Sequence, residues 1–399
     1  MLKALISYST LAVPLAFVGI PIYINAPEFY AVTHKISLTE IGVALLALRL
    51  FDAIQDPIIG KLSDIYGDYR RLIIIIGLVF LLIGFWCLFN PITPSINWFA
   101  YSVLACTFGF SVVNINYLAY GGLWQVSDDD KSKVTSFREG FGLLGLILAA
   151  AAPSLISEDK SYAYHIVSIY FMPCIALALI LLFYWQKHSK LIPKLSTKTS
   201  FELNSWNMRF FLIYLVNSFA SSIPAVLVLF FIRDSLNAEV MSGYFLLTYF
   251  LAGALAMPIW HYLAKTIGKH KAWGLSMLLA SISFVWAFNL NAGTQNYFFL
   301  VCAVSGAALG ADLALPPAMI AHKIAKQNIA NQASQYFAII NFITKLSLAI
   351  AAGSALPLLA KLGYQPGTSF QYLGYAYALI PSIIKLFAAT MVFWRSNEI

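Results

Sequence analysis

The sequence predicts an all-α integral membrane protein of twelve transmembrane helices in two six-helix bundles. Three observations carry that prediction: an extremely apolar composition, twelve apolar runs of bilayer-spanning length, and a strong bias of basic residues towards alternate loops. Of the 399 residues, 60% are hydrophobic and 11% are charged, against about 25% charged in an ordinary soluble domain. A water-soluble chain this apolar would expose more greasy surface than it could bury, so lipid must be part of its solvent.

A helix needs about 20 apolar residues to cross a bilayer. In chain order the runs are 5–25, 38–61, 72–90, 96–122, 136–157, 162–186, 208–232, 240–264, 272–291, 295–321, 332–359 and 370–394. The first is full length and preceded only by Lys3, which reads as a retained helix and not as a cleaved signal peptide. Several runs contain Pro or Gly, as membrane helices tolerate. The longest polar stretch, 187–207, lies between the sixth and seventh runs and carries Lys187, Lys190, Lys194 and Lys198. It divides the chain into an N-terminal bundle (1–186), a central loop and a C-terminal bundle (208–399).

The loops supply an independent test. With both termini inside, the inner set of basic residues is Lys3, Lys61, Arg70, Arg71, Lys131, Lys133, Arg138, the four central lysines, Arg209, Lys265, Lys269, Lys271, Lys323, Lys326 and Arg395. The outer set is Lys35, Lys160, Arg233 and Lys361. Eighteen against four predicts both termini on the cytoplasmic side of a cell (inner) membrane. The same distribution argues against nucleic acid as the target of the net charge of +8, because the charges sit in short loops and not on one soluble face. Cys87, Cys106, Cys174 and Cys302 fall inside apolar runs and read as small hydrophobes, not as a disulfide or metal framework.

The halves repeat. After the second run the chain reads Pro57-Ile-Ile-Gly-Lys-Leu-Ser-Asp-Ile-Tyr-Gly67-Asp-Tyr-Arg70, and after the eighth Pro258-Ile-Trp-His-Tyr-Leu-Ala-Lys-Thr-Ile-Gly268-Lys-His-Lys271. The offset is 201 residues, about half the chain. Two parallel six-helix repeats are the design of the major facilitator fold.

Six charged residues fall deep in the predicted helices: Arg49, Asp52, Asp56, Asp312, Lys345 and Lys385. Each would cost about 2.5–3.5 kcal/mol facing lipid at the membrane centre, so they should face the bundle interior. Arg49, Asp52 and Asp56 follow one another at spacings of three and four, which puts all three on one helix face. Two carboxylates a turn apart in a poorly hydrated site do not both ionise without help. A proton, a sodium ion or a basic side chain supplies that help, and a static ion-pair network is the structural alternative. Asp312 reads either as a pathway residue or as a structural partner for a lysine, and Lys385 as snorkelling or structurally paired.

The run Arg49-x-x-Asp52-Ala-x-x-Asp56-Pro57-x-x-Gly60 resembles the helix-two signature of the glycoside–pentoside–hexuronide:cation symporters, the melibiose permease group of the major facilitator superfamily. The resemblance continues through Asp128-Asp-Asp-Lys-Ser-Lys-Val-Thr-Ser-Phe-Arg138-Glu-Gly-Phe-Gly, and returns at Lys345 and at Gly363-Tyr364-Gln365-Pro366. It implies that Asp52 and Asp56 coordinate the coupling cation and that Lys345 lies near them; from the residues themselves, Arg49 is expected to neutralise one carboxylate and Asp312 to be a further charge partner. The sequence departs from that family in helix one, which has no acid, in helix four, where Asn114 and Asn116 stand in place of one, and in Ala321-His322-Lys323-Ile-Ala-Lys326 after helix ten. The cation site is thus better matched than the sugar site.

Asp64, Arg70 and Arg71 follow helix two, and Arg138 and Glu139 open helix five. They are expected either to form a cytoplasmic gate, whose ion pairs latch the two halves when the inside is closed, or to be ordinary loop charge. Tyr23, Asn25, Asn114, Asn116, Tyr117, Tyr120, Trp124 and Asn341 are candidates to line a solute cavity, with helix packing as the alternative for each. His165 and His261 near helix ends read as structural. Gly140-Phe-Gly142-Leu-Leu-Gly145 fits a dinucleotide pattern, but no strand precedes it, so close helix packing explains it better. No phosphate loop, metal-ligand spacing or hydrolase elbow stands out, and no cofactor beyond a coupling H⁺ or Na⁺ is expected. The sequence therefore predicts a monomeric, non-enzymatic secondary transporter that meets a small solute, a coupling cation and membrane lipid. Symport of a sugar or glycoside is the first expectation, and carriage of a lipid or lysolipid, or export, the second.

Overall fold

The computed structural model describes residues 1–157, 159–193, 204–361 and 371–394. The Gly363–Pro366 stretch and Lys194, Lys198 and Arg395 lie outside the described residues. Among those described the chain is helical, apart from one isolated antiparallel bridge between Trp124 and Leu191. The twelve segments are α1 (Leu2–Thr33), α2 (Leu38–Ile65), α3 (Arg70–Phe89), α4 (Ile96–Leu123), α5 (Asp128–Ile156), α6 (Lys160–His188), α7 (Ser205–Ser235), α8 (Ser242–Ile267), α9 (Lys269–Ala287), α10 (Phe298–Gln327), α11 (Ala333–Lys361) and α12 (Tyr372–Trp394). Ten are long and apolar enough to cross a membrane by composition alone. The other two have local reasons: α2 carries Arg49, Asp52 and Asp56, and α9 is 19 residues long and opens on Lys269-His270-Lys271.

Local chemistry sets the ends. Ser95 and Asp159 cap α4 and α6 by accepting hydrogen bonds from Trp98 N–H and from Ser161 and Tyr162 N–H, and Asn204 caps α7 through Asn207 N–H. Each cap satisfies amides that no helical carbonyl can reach. The two repeat motifs both end their helices. α2 closes through a 3₁₀ turn at Gly67–Tyr69, whereas α8 stops at Gly268 with φ +92°, a backbone region that glycine enters without strain. α1 runs past the predicted limit at 25 through a π-helical turn at Pro21–Asn25. Pro27 sits in the first turn after it, where no amide donor is required, so the helix continues. π-Turns also interrupt α7 at Phe231–Ser235 and α12 at Tyr375–Leu379.

The chain forms two compact units that do not follow chain order. The first is Met1–Ser127, Phe137–Phe201 and Ile320–Phe342; the second is Asp128–Ser136, Glu202–Met319 and Ile343–Ile399. Lipid is as apolar as leucine, so close approach and polar contacts must hold such helices together. In the first unit a β-carbon on Gly109 of α4 would come within 2.4 Å of the Leu81 backbone nitrogen of α3, so only glycine allows that crossing. Tyr8, Trp124 and Trp185 pack ring on ring beside Tyr117. In the second unit Phe231 stacks on Tyr377 at 4.2 Å inside a cluster with Phe245, Phe284 and Phe298.

Candidate functional site

The acidic pair of α2 is buried: Asp52 is 4% exposed and Asp56 fully covered. Helical spacing delivers both to the interior face, while Leu50, Phe51, Ile54 and Ile58 on the same stretch of helix are exposed. Two neutral groups hydrogen-bond to Asp52. Gln55 donates from Nε2 to its Oδ1 at 2.8 Å, and Ser111 of α4 donates from Oγ to the same oxygen at 3.1 Å. Gln55 is itself buried, and its Oε1 accepts no hydrogen bond among the described residues. Arg49 lies with its guanidinium 4.6 Å from the centre of the Tyr23 ring, a cation–π contact that brings α1 to the cluster. Tyr23 is in electrostatic reach of Asp52 and Asp56 as well. Carboxylates, an amide oxygen and a hydroxyl are hard oxygen donors, suited to a proton or a small hard cation.

A second cluster stands at the basic ends of the first unit. Asp64 accepts from the backbone amides of Ser334 and Gln335, both at 2.9 Å. It thereby caps the N-terminus of α11 from a neighbouring helix, where a negative charge is favoured. Arg70 lies 3.6 Å from Asp64 and donates from Nη1 to Asn116 at 3.1 Å and to Ser334 Oγ at 2.6 Å. Asn116 in turn donates to Ser63. Arg71 donates to Gln186, which donates to the Tyr120 hydroxyl. Beside this network is a cavity of about 440 Å³, lined by Asp64, Arg70, Arg71, Tyr120, Gln186 and Asn331 among others.

The remaining predicted residues divide between these two clusters and ordinary packing. Asn116 and Tyr120, expected along a solute cavity, belong to the Arg70 network. Tyr117 is buried, its hydroxyl donating to the Tyr8 carbonyl at 2.9 Å, and Trp124 stacks with Trp185. Asn25, Asn114, Asn341 and Lys345 are half-buried. Arg138 pairs with its neighbour Glu139 and is buried against Tyr8. Asp312 pairs with Lys385 at 2.9 Å and accepts from Asn217 at 3.0 Å and Trp273 at 2.9 Å. It is thus tied to a lysine across α7, α9, α10 and α12, the structural alternative that its sequence context allowed. Sequence reasoning missed Gln55, which sits at i+3 from Asp52 and was legible by the same spacing. It also missed Ser111, Ser334 and Asn217, for which nothing local gave a signal.

The family described as MFS/sugar transport protein matches residues 5–396. The chain belongs to that family. It is a transporter of the major facilitator superfamily, and its membership accounts for the twelve segments and the half-chain repeat. A curated relative, the uncharacterized symporter YnaJ of Bacillus subtilis (strain 168), is 23% identical over 368 residues, covering 84% of this chain and 78% of the relative. Among solved structures, a bacterial homologue of the iron transporter ferroportin in an outward-facing state superposes with a TM-score of 0.78 at 14% identity, over 99% of both chains. The human organic anion transporter MFSD10 (TETRAN) gives 0.69 at 14% identity over 98% of both. At such identities these structures share the fold alone.

Proposed function

We propose that this transporter is a cation-coupled symporter of a small organic solute, with the α2 acids as the seat of the coupling ion and the basic ends of the helices in the cytoplasm. The observation that carries the reading is the pair of buried carboxylates one turn apart, with a spare buried amide oxygen between them. Two negative charges in that environment repel strongly, and a bound H⁺ or Na⁺ relieves the repulsion. An ion that binds one conformation more tightly than the other shifts their populations by its differential affinity, which couples ion and solute movement. Asp52 and Asp56 would hold the ion, helped by Gln55 and Ser111. The membrane is the cell (inner) membrane and the working form a monomer. The first reading of the solute is a sugar or glycoside, which the description of the matching family supports. An amphiphile such as a lysolipid is the second reading, favoured by α1, where Leu11 to Ile22 contains no ionisable side chain.

The test is a panel of labelled sugars and lysolipids offered to proteoliposomes under an imposed pH or sodium gradient. One class should accumulate under one gradient. Asp52→Asn should reduce that gradient-driven uptake to the level of empty liposomes while leaving the melting temperature within a few degrees of wild type. Unchanged uptake would remove Asp52 from the ion site.

A further inference from the structure

Arg49 stands three residues before Asp52, a spacing at which two side chains share a helix face and can pair. Its guanidinium rests instead on Tyr23 of α1, 4.6 Å from the ring centre. Among the described residues Arg49 makes no ion pair and donates no hydrogen bond. Asp52 Oδ1 accepts from Gln55 at 2.8 Å and from Ser111 at 3.1 Å, two donors that carry no charge. Tyr23 owes its place to the backbone. It is the middle residue of the π-helical turn Pro21–Asn25, which closes with Ala26 N–H on the Pro21 carbonyl. A π-turn holds one residue more than an α-turn, so it rotates the side chains beyond it by about 100° around the axis. Such turns are rare and are frequent at functional sites. This one belongs to a helix that presents an aromatic face to a cation at membrane depth.

We propose that Tyr23 is a positioning residue: it holds Arg49 on its ring and so keeps the guanidinium from competing with a small cation for the Asp52 carboxylate. This rests on the reading of the α2 acids as the ion's seat. An aromatic face attracts a cation through its quadrupole and supplies no counter-charge. Arg49 is thereby held beside the acids without neutralising either of them. A guanidinium paired with Asp52 would take the same oxygens that an ion needs, in a fixed two-pronged geometry that a small cation displaces poorly. Without the ring, Arg49 turns to the partner that its spacing offers. Tyr23 thus acts on the ion through Arg49, and the ring, not the hydroxyl, does so.

The test reads the carboxylate itself and needs neither the solute nor the ion. Dicyclohexylcarbodiimide, an apolar reagent, couples to carboxyls that can take a proton and spares those paired with arginine. The full chain in lipid nanodiscs is treated at pH 7, and the label on Asp52 is located and quantified by tandem mass spectrometry. Tyr23→Leu should lower that labelling about tenfold, the scale of a cation–π contact exchanged for an ion pair. Tyr23→Phe keeps the ring and should label as the wild type does. In an Arg49→Gln background the competitor is gone, so adding Tyr23→Leu should change nothing. Tyr23→Met is the second variant should Leu fold poorly. An unlabelled Asp52 in the wild type, undiminished labelling without the ring, a Phe variant as poor as Leu, or a loss that survives Arg49→Gln would each overturn the proposal. Failure of the ion seat is read separately, by the gradient-driven uptake of Asp52→Asn.

Discussion

Asp312 and Lys385 show how a charge is kept at membrane depth. Each is fully engaged: the carboxylate by Lys385, Asn217 and Trp273, and the ammonium by Asp312 and by Asn217 Oδ1 at 2.8 Å. Removing one partner of a buried pair leaves an uncompensated charge and costs about 3–5 kcal/mol, whereas replacing both by apolar groups of similar volume is often neutral. Asp312→Leu and Lys385→Met should therefore each destabilise the detergent-solubilised protein strongly. The double variant should recover most of the loss in thermal or denaturant melts. Strictly additive losses would show that the two groups are not acting as a pair. Asp52 differs in its hydrogen bonds, which come from the neutral donors Gln55 and Ser111 and orient the carboxylate. That contrast is why the ion reading is placed on α2 and not on α10.

At the scale of elements, the contact between α2 and α11 combines close approach with a charge. The Ala338 side chain and the backbone of Ser334 and Gln335 meet Gly60, so a side chain there must push α11 away. Gly60→Val should cost about 1–3 kcal/mol by overpacking. Asp64→Ala removes the acceptor for two helix amides and leaves Arg70, which is 4% exposed, without its carboxylate. It should cost about 3–5 kcal/mol. For both variants, amide exchange in the first turns of α11 should rise. Unchanged exchange there would show that the contact does not hold the helix end. The membrane reference state explains why such contacts matter more than apolar burial: lipid covers a greasy face as well as protein does.

For the whole molecule, the basic bias of the loops sets an orientation that cysteine labelling can read. In a chain with its four native cysteines replaced, Asn291→Cys, between α9 and α10, should react with a membrane-impermeant maleimide on intact cells. Asp68→Cys, between α2 and α3, should react only after permeabilisation. Both positions are exposed, so the reverse pattern would invert the proposed topology. Alternating access asks more of the molecule than orientation: contacts at the basic ends must break and re-form during transport.

Composition, run length and loop charge determined the membrane-spanning, twelve-helix fold, because the bilayer imposes length and polarity on each segment independently of its neighbours. The spacing of Arg49, Asp52 and Asp56 likewise fixed their common helix face, since periodicity is local. Partners were another matter. That Asp64 caps α11, that Asn116 and Tyr120 serve the Arg70 network, that Asp312 meets Lys385, and that Ser111 reaches Asp52 were decided only by tertiary packing. These groups lie dozens to hundreds of residues apart, and helical spacing says which way a side chain points but not what stands opposite it.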